Sequence, residues 1–268
     1  MDISAARHAF ITGGASGLGL AIGDALAARG LKVTIADVQS SLLDEVLAAR
    51  GENWRGVLLD VRDRDGWAKA KAEAEAAFGP VDVLVNNAGI APNGKPFADM
   101  PPESFDQIIA INLVGVFNGV QAFGADMRER GRGHIVNTSS MAGLAASTPG
   151  TGAYATAKFG VTAMSELLRA EMAPHGVGVT VLCPGFVVTG LGANTARLGG
   201  LTRGLPPGAP MPKTDVTSEH VADMVVQAIE NDESHVVTHG GSWREIEKRF
   251  SAIKAACDLA DARGLGGR

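Results

Sequence analysis

The sequence predicts a doubly wound α/β fold, with seven mostly parallel strands and helices on both faces. Three observations carry this. Short apolar or β-branched runs alternate with long Ala-rich helical patterns along the 268 residues, the pattern of right-handed crossovers onto a parallel sheet. The apolar runs are nearly continuous, as in strands buried on both faces. No linker and no internal repeat interrupts the alternation, so residues 1–268 read as one domain.

The elements follow in order. "HAFIT" is the first strand, and a helix runs from Gly17 to Arg29. "KVTIAD" leads into a helix through "SLLDEVLAAR", and "GVLLDV" into "DGWAKAKAEAEAAFG". "VDVLVNN" precedes a long helix from Glu103 to Arg130. "GHIVNTSS" precedes another from Gly152 to Pro174. "GVTVLCP" leads to an irregular stretch, then a helix from Ser218 to Asn231, and "SHVVTH" is the last strand. Two segments break the pattern. Residues 190–216 are rich in Gly and Pro without periodicity, and a loop this long in a compact domain is usually functional or disordered. It carries Leu191, Leu198, Leu201, Leu205 and Met211, suited to closing over an apolar substrate, with Gly143, Leu144 and Ala145 on the opposite wall. The tail at 242–264 is amphipathic and charged, fit to cover the protein's own sheet or a partner subunit.

Composition excludes several classes. A net charge of −5 carries no nucleic-acid signature. The start "MDISAARHAF" has no basic region followed by an apolar run, and no apolar stretch is read as long enough to span a membrane. Two cysteines without paired spacing point to a reduced, cytoplasmic compartment. His235 and His239 lie on a strand reading, where four residues span about 13 Å, too far for one metal ion. No metal site is expected.

"ITGGASGLGLAIGDALAARG" joins the first strand to the first helix, with glycines at Gly13, Gly17 and Gly19. Such glycines permit a tight turn, close approach to a pyrophosphate and close helix–strand packing. The following helix N-terminus offers free N–H groups to phosphate. A glycine-rich turn also serves packing alone, but the strand–glycine–helix context favours a dinucleotide. Asp37 ends the second strand, where a carboxylate accepts from ribose hydroxyls and repels a 2′-phosphate. Neither Ser16 nor Val38 supplies the cation a 2′-phosphate wants, so NAD is expected over NADP. Asp60 ends the third strand and is placed to accept from the adenine amino group, with Val61 beside it on the cofactor side.

The chain resembles the short-chain dehydrogenase/reductase family over residues 7 to 190, and more loosely to 240. "TGGASGLG", "NNAG", "GHIVNTSS", "YATAK" and "PGFVVT" all match in order. The resemblance implies a Rossmann-type fold in which Gly13, Ser16, Gly17, Leu18 and Gly19 line the phosphates. It implies that Asn87, Ala88 and Gly89 pass along the ribose side, and that Val187 and Thr189 hold the nicotinamide carboxamide. It makes Asn112 the helix asparagine of a proton relay, Ser140 the catalytic serine, and Tyr154 and Lys158 the catalytic pair that also meets the cofactor. Thirteen residues separate Ser140 from Tyr154, one more than in many members, and Ser139 competes for the serine role. The implied protein is a dimer or tetramer acting on a small alcohol or ketone. The helical tail is similar to those of members that oxidise bulky or aryl secondary alcohols.

The chemistry needs these residue types. A free tyrosine has a pKa of about 10, too high for efficient proton transfer near neutrality. Lys158 lies one helical turn beyond Tyr154, the only tyrosine, so both project from one face. Its charge, with help from the cofactor's positive ring, is expected to lower the phenol by about 3 pH units, roughly 4 kcal/mol. Ser140 can bond the substrate oxygen. The direction of reaction stays open, and a protein of this fold that binds NAD without turnover is the rival reading.

Overall fold

The computed structural model describes residues 1–200 and 214–264. Seven strands form one sheet: β1 (His8–Thr12), β2 (Lys32–Asp37), β3 (Trp54–Leu58), β4 (Val83–Asn86), β5 (Gly133–Thr138), β6 (Val177–Cys183) and β7 (His235–Val237). Their order is β3-β2-β1-β4-β5-β6-β7, and every pair is parallel. Ile11 faces Ile35 on one side and Val85 on the other, which sets the register at the centre. The chain winds outward one way from β1 to β3 and the other way from β4 to β7. A crevice therefore opens at the carboxyl ends of β1 and β4, where the winding reverses.

Strand parity sorts the core into two layers. Ala9, Ile11, Val33 and Ile35 point to one face and meet Ile22 and Leu26 of α1 (Gly17–Ala27) and Leu43 and Val46 of α2 (Ser40–Ala48). Val221, Val225 and Ile229 of a helix at Ser218–Asn231 complete this layer. Phe10, Leu84 and Ile135 point to the other face, against Trp67 and Ala70 of α3 (Arg64–Phe78). Phe10 is the hub there, with ring centroids 5.9 Å from Trp67 and 5.0 Å from Phe123.

The helix expected from Glu103 to Arg130 divides. Helix α4 (Pro102–Ile109) passes through a π turn at Ala110–Val114 into α5 (Gly115–Arg130). It ends at Gly131, whose φ of +69° is the left-handed conformation that closes helices. Contrary to the sequence reading, Pro102–Arg130 is long and apolar enough by composition to cross a membrane. Half of its apolar window is buried inside the fold, and the stretch packs on α3, β4, β5 and α6 (Gly152–Met172) as a core helix.

The irregular stretch also holds more structure than its composition suggests. Leu191–Arg197 forms a short helix, α7, before the helix at Ser218–Asn231, here α8. Leu201, Leu205 and Met211 lie outside the described residues. The tail is a helix, α9 (Trp243–Ala262), in which Ile246 is the buried residue. It meets the body where the Arg249 guanidinium lies 5.0 Å from the centre of the Phe159 ring on α6. Phe250, Ile253 and Leu259 stay exposed.

Candidate active site

One cleft gathers the crevice residues. Gly13, Ser16, Gly17 and Leu18 line it with Asp37, Asp60, Val61, Asn87, Ala88 and Gly89. Ser140, Tyr154, Lys158, Val187 and Thr189 line it too. Of the residues expected from the sequence, Gly19 and Asn112 do not form its wall; both sit behind it.

The glycine loop is shaped by what its glycines lack. Gly13 and Gly17 take φ of +61° and +55°, which side chains disfavour. A Cβ on Gly13 would come within 3.0 Å of Ala88 Cα, and one on Gly19 within 2.6 Å of Asn87 Nδ2. Thr12, which sequence reasoning passed over, ties these pieces together. Its hydroxyl accepts from the backbone N–H groups of both Asn87 and Ala88 at 3.0 Å, and Asn87 Nδ2 donates to Thr12 O at 3.0 Å. The cradle is thus bare backbone around a helix N-terminus, which fits a pyrophosphate.

Asp37 is buried, and its carboxylate accepts from Ala15 N at 3.3 Å and Gln39 N at 3.1 Å. Those bonds hold it against the glycine loop on the cleft wall. Asp60 is gripped by Arg62, whose guanidinium bonds both carboxylate oxygens at 2.6 to 3.1 Å. The Arg62 hydrogen bonds hold the Asp60 carboxyl below its usual range. Arg62 itself lines the cleft. It is the cation that inspection of Ser16 and Val38 missed, and "DVR" placed it in plain view; its charge is matched by Asp60. The Val61 carbonyl is pinned by Trp67 Nε1 at 3.0 Å and Asn118 Nδ2 at 2.9 Å.

The catalytic candidates come from three elements. The adjacent serines at the end of β5 separate cleanly. Both border the cleft, but Ser139 is buried with its hydroxyl donated to Lys158 O at 2.8 Å, whereas Ser140 is only half-buried. Ser140 caps the short turn that follows, accepting from Ala142 N at 3.1 Å. Tyr154 and Lys158 share the inner face of α6, with Lys158 Nζ 5.6 Å from the tyrosine ring centre. Lys158 Nζ donates to Thr138 O at 2.7 Å. Burial pushes the Lys158 ammonium down to about 8.

The protein's own groups do not by themselves lower the Tyr154 phenol. Burial raises its pKa, and the hydrogen bond with Ser140 only partly opposes this. Desolvation of a phenolate is the dominant cause, while the Lys158 ammonium is bonded to the Thr138 carbonyl.

Asn112 is fully buried in the π turn. Its Oδ1 accepts from Ile90 N at 2.8 Å and its Nδ2 donates to Ile90 O at 2.9 Å. Its side chain straps the loop after β4, and a Cβ on Gly89 would sit 3.0 Å from Asn112 Oδ1 and 3.8 Å from Lys158 Nζ.

Helix α7 closes the remaining side. Asn194 Nδ2 donates to Ser16 Oγ at 3.0 Å, and Ala91 N donates to Thr195 Oγ1 at 2.9 Å. Leu191 and Leu198 face the cleft. Gly143, Leu144 and Ala145 are not part of its wall, a second correction. The turn at Met141–Gly143 folds back under Ser139 and Lys158 instead, where Gly143 abuts both.

Comparison with known proteins agrees with this geometry. Residues 7–197 match the family model described as short chain dehydrogenase. The chain is 40% identical over 189 residues to the probable oxidoreductase EphD of Mycobacterium tuberculosis, covering 69% of this chain and 32% of that protein. The match thus spans about a third of that relative's length. It is 33% identical over 252 residues to the 1-deoxy-11-beta-hydroxypentalenate dehydrogenase of Streptomyces exfoliatus, covering 92% and 88% of the two chains. The crystal structure of a short chain dehydrogenase/reductase from Burkholderia phymatum in complex with NAD superposes with a TM-score of 0.85 at 29% identity, covering 96% and 97%. With a seven-stranded parallel sheet, a glycine-lined crevice and a serine, tyrosine and lysine meeting in it, the chain belongs to the short-chain dehydrogenase/reductase family of oxidoreductases.

Proposed function

We propose that the protein is an NAD-dependent oxidoreductase that interconverts a secondary alcohol and its ketone, the substrate being apolar and bulky or aryl. The observation that carries this is the convergence of Ser140, Tyr154 and Lys158 on the cleft that the glycine loop opens into. A nicotinamide dinucleotide held by the glycine loop, Asp37, Val187 and Thr189 would supply the hydride chemistry. The protein's residues handle the oxygen and its proton. Ser140 donates a hydrogen bond to the substrate oxygen and stabilises charge that builds on it. Tyr154 gives that oxygen a proton in ketone reduction and removes one in alcohol oxidation. Lys158, held by Thr138 O, supplies the positive charge that the phenolate form requires.

Asp37 supports NAD over NADP, because a carboxylate fixed beside the glycine loop repels a 2′-phosphate. Arg62 leaves this preference intact, since its charge is spent on Asp60. Leu191, Leu198, Ile90 and Ile111 on the cleft wall support an apolar substrate. Cys183 and Cys257 are unpaired, which supports a cytoplasmic setting. The exposed apolar residues of α9 support a homo-oligomer, a dimer or tetramer.

The test is absorbance at the reduced-nicotinamide band, with NAD and separately NADP, against aliphatic, aryl, steroidal and sugar-derived secondary alcohols. Turnover with NAD and an apolar class, lost by at least a thousandfold in Tyr154→Phe, is the expected result (about 4 kcal/mol of barrier). Near-full turnover in Tyr154→Phe would sink the mechanism. NAD binding without turnover on any alcohol or ketone would favour the non-catalytic rival.

A further inference from the structure

Three consecutive residues at the end of β5 hold the lysine and the substrate side together. The Thr138 carbonyl accepts from Lys158 Nζ at 2.7 Å. The Ser139 hydroxyl donates to the backbone carbonyl of the same lysine at 2.8 Å. Ser140, the next residue, faces the cleft. One strand end therefore grips Lys158 at both its ammonium and its main chain, and presents the serine that meets substrate.

The Ser139 grip is fully enclosed. Ser139 is 1% exposed, Lys158 3% and Thr162 6%. Thr162 Oγ1 lies 2.8 Å from Ser139 Oγ and donates to Lys158 O at 3.1 Å. Two hydroxyl protons are thus shared among three oxygens with no water needed. Ser139 cannot drift, because its own N–H donates to Leu182 O on β6 at 2.7 Å. The turn after β5 is shaped to leave room for the contact. A Cβ on Gly143 would lie 2.6 Å from Lys158 O, so glycine alone lets that turn pass.

We propose that Ser139 is a positioning residue for proton transfer: its hydroxyl, paired with Thr162, fixes the height of α6 against β5 and so sets Tyr154 and Lys158 relative to Ser140. This rests on the reading that Tyr154 is the proton carrier. The physical basis is the steep cost of misplacement. A shift of about 1 Å between reacting groups costs on the order of 100-fold in rate. Without the Ser139 hydroxyl, Lys158 O loses its shorter donor and keeps only the longer bond from Thr162. The helix is then free to slide where the site tolerates it least. The cradle for the dinucleotide is built from other elements and keeps its shape.

The test compares wild type, Ser139→Ala, Thr162→Val and Tyr154→Phe as full-length enzymes. Each is measured for kcat across pH, for NAD affinity by titration and for thermal unfolding. Ser139→Ala is expected to lower kcat about 10- to 100-fold, with NAD affinity within about twofold of wild type. The midpoint of its pH–kcat profile for alcohol oxidation moves upward, because the phenolate loses a well-placed cation. Thr162→Val moves both quantities in the same direction by less. The pH midpoint is the reading that a purely structural role leaves untouched. Unchanged kcat and midpoint in Ser139→Ala overturn the proposal, as does a loss of kcat that merely tracks lost NAD affinity and thermal stability. If Ser139→Ala fails to fold, Thr162→Val with a wild-type midpoint overturns it alone. Failure of the underlying reading is distinct, since it shows as turnover persisting in Tyr154→Phe.

Discussion

Tyr154 and Lys158 sit one turn apart yet are pushed in opposite senses by the same burial. The phenol rises above its usual 10 and the ammonium falls to about 8. At neutral pH the pair is then phenol and ammonium, the form that donates a proton. Ketone reduction uses that form directly, whereas alcohol oxidation needs the phenolate. The rate of oxidation at saturating substrate is therefore expected to climb as pH rises above neutrality, as more of the raised phenol gives up its proton. Reduction is expected to be level near neutrality and to fall on the alkaline side. Initial rates in both directions across pH check this, and an oxidation rate that declines above neutrality contradicts it. The types and spacing of these residues were legible in the sequence, since a single tyrosine four residues before a lysine is a visible signal. Their electrostatics were not, because the sequence does not say that the Thr138 carbonyl takes the ammonium. The choice between Ser139 and Ser140 also turned on packing. Adjacent residues at a strand end face opposite ways, and only the folded chain shows which one meets α6.

At the scale of elements, strands and long helices were legible and short or bent pieces were not. Apolar runs and Ala-rich periods located all seven strands, although β3 runs from Trp54 to Leu58, earlier than "GVLLDV" reads, so Asp60 lies beyond its end rather than on it. The π turn at Ala110–Val114 left no trace, since "IAINLVGVF" reads as continuous helix. Its consequence is that Asn112 turns inward to strap Ile90 rather than lining the cleft. Helix α7 spans Leu191–Arg197, seven residues, too few to show a period among glycines. Yet it carries the latch over the cleft. Thr195 is 0% exposed, and its hydroxyl accepts from Ala91 N while donating to Leu191 O at 2.7 Å. Thr195→Val keeps the shape but orphans the Ala91 N–H, a cost of about 1 to 3 kcal/mol borne by the closed arrangement. Faster release of the bound dinucleotide, by about 5- to 150-fold, is the expected outcome in rapid-mixing experiments, with more rapid proteolysis near α7. Unaltered release would mean that the Asn194–Ser16 bond suffices to hold the helix.

At the scale of the whole molecule, the sheet's two ends are built for different work. The carboxyl ends of the strands carry the cleft, while the amino ends of β1 and β5 carry His8 and His134, both fully buried. His8 bonds Gly79 O at 2.8 Å and Thr34 Oγ1 at 2.9 Å. His134 Nε2 meets Thr180 Oγ1 at 2.8 Å, and its Nδ1 has no partner among the described residues. Burial lowers both from 6.5, His134 to about 3. A lowered folded value means that the unfolded chain binds protons first. The stability each ring contributes as a neutral group is full above pH 6.5 and is lost as pH falls through its own lowered value, about 3 for His134. Each buried ring steepens the loss by up to ~1.4 kcal/mol per pH unit within that window. The depressed carboxylates act lower. Asp60 is held down by Arg62, and at Asp232 the Arg169 bond and charge outweigh burial, so both titrate below 3.8. Between pH 6.5 and 4 the histidines should therefore dominate acid sensitivity. Denaturant unfolding at half-unit pH steps should show stability falling across that window in the wild type. His134→Gln keeps a group able to bond Thr180 but cannot take up a proton, so its slope should be shallower by up to ~1.4 kcal/mol per pH unit. Parallel slopes for the two proteins would show that His134 is not among the groups through which acid unfolds the sheet.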